Sequence, residues 1–431
     1  MYKLTKWLNR LVSIATLFFF LNNLEAQDSL HEVSLEKVYE LARENYPLIK
    51  QKDLIARSSF LTIENIKTAY FPQVSLNGQA TYQSDVTSIP VSLPGLNINS
   101  LSKDQYKIWG EVNQLIYDGG VIKNQKELQQ RSSLLDDQKT EVELYKLHDR
   151  MNQLYLGILL LDAQLNQAAL VKENANIGLR LVQSQVKNGT AFKSAQWVLE
   201  VQLLQTNQKI IEINNNRLGM LRVLELFIHQ PVSNNVKLST PLIVQNSYDD
   251  MLSRPELKLY TLQDSLFKTQ HQIISSKNNP KISLFAQGGY GKPGFNQLLN
   301  DFAWYGIGGV RFAWSLNSFY TARRDQQVIT INQKMNNIQK DVFVLNTNSQ
   351  LSQQQSDIVK LQELLKIDEQ IVEVRSKVTE SAKAQLENGV INSNDYLREI
   401  NAEDQARISA IVHNIQLLQS KINYQTIKGN Q

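Results

Sequence analysis

The sequence predicts a mainly α-helical chain with a small set of β-strands, laid down as two tandem copies of one unit. Three observations lead there. A spaced pair of prolines recurs. Long helical runs pass almost without Gly or Pro. Four short stretches carry a period-two alternation of polar and apolar residues, without exception in the first.

The tandem copies are the organising feature. Asn45, Tyr46 and Pro47 open the first, and Ser253, Arg254 and Pro255 open the second. Twenty-five residues after Pro47 comes Pro72, and twenty-five after Pro255 comes Pro280. Each second proline precedes a strand-like run. Later, Asn188 and Gly189 recur as Asn388 and Gly389. The expected division is a secretory signal over 1–26, a first repeat over 27–252 and a second over 253–431. Each repeat reads as helix, strand, loop, strand, long helix, turn and return helix.

The leader rests on Lys3, Lys6 and Arg10 ahead of an apolar core from Leu11 to Leu21. That core is shorter than the roughly 20 residues of a spanning helix. No other run reads as a membrane helix. The chain therefore reads as exported, and either soluble or a membrane β-barrel. It contains no Cys, so no disulfide supports it. Its formal charge of +4 is too balanced to suggest nucleic acid.

Long helices are expected over 120–187 and 318–386, with return helices over 194–228 and 394–428. The first run has no Pro and sparse Gly, with Gly157 inside it, and the second has neither residue beyond 320. At 1.5 Å per residue each would measure roughly 100 Å. Apolar residues fall three and four apart, as in a coiled coil. Leu144, Leu147, Met151, Leu154, Ile158, Leu161, Leu165 and Ala168 make the first seam. Val328, Ile331, Met335, Ile338, Val342 and Leu345 make its counterpart.

Strands are expected over about 73–83, 106–117, 281–291 and 302–314. In the first, Val74, Leu76, Gly78, Ala80 and Tyr82 share one face, with Ser75, Asn77, Gln79 and Thr81 on the other. In the last, Trp304, Val310, Phe312 and Trp314 oppose Arg311. Tyr82, Tyr290, Trp304 and Trp314 stand where an interfacial aromatic girdle would lie. A soluble sheet with one wet face gives the same alternation. Four strands cannot close a membrane barrel, whose minimum is about eight, so a barrel would need several chains.

These residues resemble the TolC-like outer membrane efflux protein family. The resemblance is carried by Leu35, Glu36, Tyr39, Ala42, Asn45 and Pro47; by Tyr70, Phe71 and Pro72; by the run Leu115, Ile116, Tyr117, Asp118, Gly119 and Gly120; and by the Asn-Gly turn of each half. It implies a homotrimer whose twelve-stranded transmembrane β-barrel, four strands per chain, continues as a periplasmic α-helical coiled-coil barrel. It also implies a belt around residues 229–253 and the C-terminal end. Implied with it are an outer-membrane location, contact with outer-membrane lipid, a periplasmic adaptor, and an inner-membrane transporter reached through that adaptor. Such a chain is an exit duct, not an enzyme, and carries no cofactor or metal. The substrate class, whether drug, metal ion or protein, stays open. The rival reading is a periplasmic coiled-coil scaffold without a pore.

The tip turns are expected over 188–193 and 387–393. Asn188, Gly189, Thr190, Ser194, Asn388, Gly389 and Val390 are the candidate adaptor contacts. The family's acidic tip pattern maps onto Asp395, with Arg398 and Glu399 one turn on, as a candidate pore constriction. Asp395 reads equally as the N-cap of the return helix, and Arg398 could pair with it at i,i+3. Gly189 and Gly389 read as left-handed helix caps. Glu111 and Arg311 lie on the polar strand faces and are candidate lumen residues.

Other chemistry finds no constellation. His31, His148, His229, His271 and His413 are scattered without metal-ligand spacing. The run from Gly288 to Gly294 resembles a phosphate loop but lacks Ser or Thr after Lys292 and opens no helix.

Overall fold

A computed structural model of the chain describes residues 30–87, 101–241, 251–296 and 299–429. The signal expected over 1–26 lies outside these residues. So do most of the loop expected between the first two strands and residues 242–250 of the expected belt.

The elements run β1 (Leu30–Val33), α1 (Leu35–Asn45), α2 (Lys50–Lys67), β2 (Gln73–Tyr82), β3 (Asp104–Tyr117), α3 (Val121–Tyr145), α4 (Leu147–Lys187) and α5 (Lys193–Ile228). There follow β4 (Val232–Leu238), α6 (Pro255–Ser276), β5 (Lys281–Lys292), β6 (Ala303–Ala313), α7 (Ser318–Glu387) and α8 (Ser393–Lys428). The chain is mainly helical. Helix, two strands, long helix and return helix appear in that order in both halves.

Compact units do not follow the halves. One comprises residues up to 49, 143–254 and 346–431; the other comprises 50–142 and 255–345. The expected division at 252/253 therefore marks a recurrence of elements, not a boundary between packed bodies. The physical reason is the sheet, which takes one hairpin from each half.

That sheet belongs to the second unit. Its order is β2-β3-β5-β6, every neighbour antiparallel. Val74 pairs with Val112, Val112 with Ala286 and Ala286 with Gly308, so one face runs continuously across four strands. A bulge between Leu115 and Tyr117 shifts the register at the helix end of β3. The chain then turns at Gly119 and Gly120, both with positive φ (76° and 87°). Asp118 is buried there, and its carboxylate accepts from the backbone N–H groups of Gly120 and Ile122. Asn279 donates to the Gly119 carbonyl at 2.9 Å, tying this corner to the start of the second hairpin.

In the first unit, β1 and β4 form a parallel pair against α1, α4 and α5. Strand β1 was not expected from the sequence; four residues are too few to show a period. Val38, Ala42, Met151, Tyr155, Ile158, Leu224 and Ile228 pack as the core. The Tyr155 hydroxyl lies 2.8 Å from the Val33 carbonyl and 2.6 Å from that of Ser239. Arg217, buried, pairs with Asp162 and donates to the backbone carbonyls of Asn234 and Val236, so one guanidinium fastens β4 to two helices.

The run expected as one helix over 120–187 is interrupted at Lys146, which keeps right-handed helical dihedrals (φ −63°, ψ −17°). The break falls where Tyr145 stacks on His148 at 5.0 Å and reaches the Thr426 carbonyl at 2.6 Å. The stretch Val121–Lys187 is also long and apolar enough to cross a membrane by length and composition, against the expectation that no such run exists. Its apolarity serves the core: Met151, Tyr155, Leu156 and Ile158 are buried. Helix α7, by contrast, is unbroken over 70 residues. At 1.5 Å per residue it measures roughly 105 Å.

Candidate functional site

Alternation in the strands becomes two chemically distinct faces once the register is known. Val74, Leu76, Ile108, Val112, Leu284, Val310 and Phe312 lie on one face, and all are exposed. Val74, Leu76 and Tyr82 stay about three-quarters exposed (75, 77 and 78%). Monomeric soluble proteins rarely leave a contiguous apolar face of this kind bare to water. Aromatic rings border it at both ends. At the loop end, Tyr290 stacks on Phe302 at 5.5 Å between centroids and meets Trp304 tilted at 5.0 Å. At the helix end, Trp314 meets Phe319 edge-on. The strands hold 10, 14, 12 and 11 residues, against the 9–11 or so of a tilted membrane strand.

The opposite face carries Ser75, Asn77, Lys107, Glu111, Gln287 and Arg311. Arg311 and Glu111 are brought together: the guanidinium reaches over β5 to the carboxylate at 3.1 Å. It also lies 4.7 Å from the centre of the Phe285 ring, held by a cation–π contact.

In the first unit, both tip turns end a long helix in the same way. Gly189 and Gly389 have φ of 75° and 69°. Thr190 N–H donates to the Gln185 carbonyl and Gly189 N–H to that of Val186; Val390 and Gly389 repeat this with Gln385 and Leu386. This is a Schellman motif, and it satisfies carbonyls that the helix end leaves open. Behind the turns, Val182, Leu199, Leu386, Tyr396 and Ile400 form a core drawn from α4, α5, α7 and α8. Gly178, passed over in the sequence, lets the Tyr396 ring lie against α4, since a Cβ there would meet the ring at 2.7 Å.

Of the candidate contacts, Thr190 and Asn388 bond back to their own helices, at Gln185 and Ala384. Ser194 caps nothing. The cap position of α5 is Phe192, which makes no side-chain cap bond and is 85% exposed. With Val390, 71% exposed, it makes the tip more apolar than the sequence motif suggested. Phe192 had a signal in the sequence, a large apolar residue inside a polar turn.

The reading of Asp395 as N-cap is corrected. The cap of α8 is Asn392, whose side chain accepts from Asp395 N–H at 3.0 Å. The Asp395 carboxylate is left to face Arg398 at 3.8 Å. Glu399 lies between two guanidinium groups, Arg398 at 3.2 Å and Arg375 at 3.4 Å. Arg375 stands on the facing helix α7, and no local spacing points to it. The two acids are thus matched by two arginines.

An exposed apolar sheet of membrane-strand length, joined in one chain to helices far longer than a globular core houses, defines a class: the fold of outer-membrane channels. The outer-membrane channel OprN shares it with a TM-score of 0.68 at 13% identity, covering 92% of this chain and 90% of that one. So does VceC, an outer membrane protein of Vibrio cholerae (TM-score 0.66, 12% identity, 92% and 96% covered). A third is the MtrE outer membrane channel of Neisseria gonorrhoeae in its open state (0.65, 12%, 92% and 89%). The sequence model of the outer membrane efflux protein family matches residues 38–226. No curated protein matches the chain in sequence. The family model thus covers part of the first half of the chain, while the fold shared with these channels extends over 92% of it.

Proposed function

We propose that this chain is the outer-membrane exit duct of an efflux or type I secretion system, working as a homotrimer in a Gram-negative cell envelope. The observation that carries this reading is the sheet: its apolar face is bare, and β2 and β6 each leave one edge unpaired among the described residues. In lipid an open edge is not viable, so further copies must pair with it. Three copies give twelve strands, an even number within the range of known barrels.

The helices support the same reading. Val328, Ile331, Met335, Ile338, Val342 and Leu345 are all at least half exposed, although their spacing is that of a coiled-coil seam. Ile367, Ile371, Val374 and Val378 continue this spacing further along α7, also exposed. On α5, Trp197, Val201, Leu204 and Ile211 form another uncovered stripe. Such stripes fit neighbouring copies.

In this arrangement the two tandem repeats each contribute one hairpin and one helical pair. Glu111 and Arg311 face the lumen. The turns at Asn188, Gly189, Thr190 and Ser194, and at Asn388, Gly389 and Val390, form the periplasmic tip that meets an adaptor, itself coupled to an inner-membrane transporter. Asp395, Arg398 and Glu399 line the narrowest part. Conduction is passive, and the energy comes from the partner transporter. Residues 1–26 act as the export signal.

The test is purification of the mature chain in detergent, followed by mass measurement, imaging and planar-bilayer recording. A long hollow trimer that conducts supports the duct. A detergent-indifferent single chain in the periplasmic fraction would favour the pore-free scaffold.

A further inference from the structure

The helix end of the sheet carries cations that conduction leaves unused. Strand β6 ends at Ala313, and Trp314 follows on the apolar side, 51% exposed. Its indole N–H donates to the Asn278 carbonyl at 2.9 Å, just past the end of α6. Gln326 donates to the Ser275 hydroxyl at 3.2 Å, so the start of α7 lies along the end of α6. The edge-on contact of Trp314 with Phe319 orients the first turn of α7. Arg323 and Arg324 follow Phe319 and Tyr320 by four residues each, hence on the same sides of the helix.

Lys277, Arg323 and Arg324 are all exposed and form no ion pair among the described residues. Among the described residues Arg324 donates only to the Tyr320 carbonyl, at 3.2 Å. Carboxylates elsewhere at this end are engaged: Asp118 caps α3 and Glu64 pairs with Lys67. Asp325 is exposed and lies about 200° around the helix from Arg323 and about 100° from Arg324, with no ion pair to either among the described residues. A band of exposed aromatic rings thus gives way, within one helical turn of α7, to Arg323 and Arg324, with Lys277 at the end of α6 as a third exposed cation.

We propose that Lys277, Arg323 and Arg324, beside Trp314 and Phe319, form a docking surface for the headgroups of anionic phospholipids. The assignment rests on reading the sheet as the membrane-spanning part. Charge and continuity carry it. Indole and phenyl rings settle at the depth where acyl chains meet headgroups. The next turn of helix then stands at phosphate level, where a guanidinium can hold two phosphate oxygens at once. Lipid is favoured over a soluble anion because the cations are continuous with the exposed apolar face of the sheet.

The experiment places purified protein in nanodiscs of mixed phosphatidylcholine and phosphatidylglycerol and measures the relative association of spin-labelled forms of each lipid. Wild type should prefer phosphatidylglycerol. The variant R323Q/R324Q should lose that preference by about 5-fold or more, since each basic group near an anionic surface contributes a factor of about 5. R323K/R324K and the distant K366Q should keep it, which separates charge from folding. Equal association of both lipids with wild type, or an unchanged preference in R323Q/R324Q, overturns the proposal. Loss of the preference on adding inorganic phosphate at matched ionic strength overturns it in favour of a simple anion site. Failure of every form to insert in bilayers would instead bring down the duct reading.

Discussion

Glu111 and Arg311 stand 200 residues apart in sequence and 3.1 Å apart in the sheet, linked over a strand that belongs to neither. The pair joins a strand of the first half to a strand of the second on the polar face. In the proposed barrel it is fixed charge in the conducting path.

Glu111→Gln should therefore alter ion preference more than stability. The arginine is 47% exposed and the glutamate 23%, and pairs this open contribute about 1 kcal/mol or less. Planar-bilayer reversal potentials should shift toward anions, while the denaturant midpoint moves little. An unchanged reversal potential would remove the pair from the lumen.

At the tip, Asn392→Ala and Asp395→Ala should separate capping from conduction. Loss of the Asn392 cap should lower stability by about 1 kcal/mol. Asp395→Ala should leave the cap intact and change single-channel conductance or cation preference, through release of Arg398. Should Asp395→Ala leave both unchanged, Asp395 does not line the constriction.

Gly389→Ala and Gly429→Ala should differ in kind. Nothing lies within 4 Å of a Cβ added at Gly389, so the cost is the left-handed backbone alone, about 1–2 kcal/mol. At Gly429 the same atom would meet the Ser253 backbone at 2.5 Å. The C-terminal end of α8 should then undock. Hydrogen exchange at residues 420–428 reads this directly, as faster exchange in G429A and not in G389A.

His148 should make the protein acid-sensitive. Burial, with the nearby Arg43 charge, pushes its pKa down from 6.5 to about 4. Tyr145 stacks on its ring at 5.0 Å and Tyr39 lies tilted against it at 4.3 Å. The unfolded chain therefore binds the proton first. The full stability is present above about pH 6.5 and declines as pH falls toward 4, by up to about 3 kcal/mol. Guanidine unfolding midpoints between pH 7.5 and 4 measure this. His148→Gln should flatten that slope, and a slope as steep as wild type would assign the sensitivity elsewhere.

Much of the architecture was legible in local pattern. The strand over Gln73–Tyr82 showed itself because a period of two sorts side chains without reference to any neighbour. The tip glycines were legible because a left-handed position excludes most other residues. Arg375 was not, since its meeting with Glu399 depends on how α7 lies beside α8. Nor was the cap at Asn392, because Asn392 and Asp395 are both capping residue types and only the backbone decides which occupies the cap.

The amino-acid order alone determined periodicity: which runs are helical, which alternate, and where each must turn. Those properties arise from contacts within a few residues along the chain. Tertiary structure alone decided what each pattern faces. Met151 and Ile158 are fully buried, whereas Met335 and Ile338 are 52 and 61% exposed, although all four sit at seam positions of matching helices. A heptad specifies a stripe; whether the chain itself covers that stripe depends on the placement of helices distant in sequence.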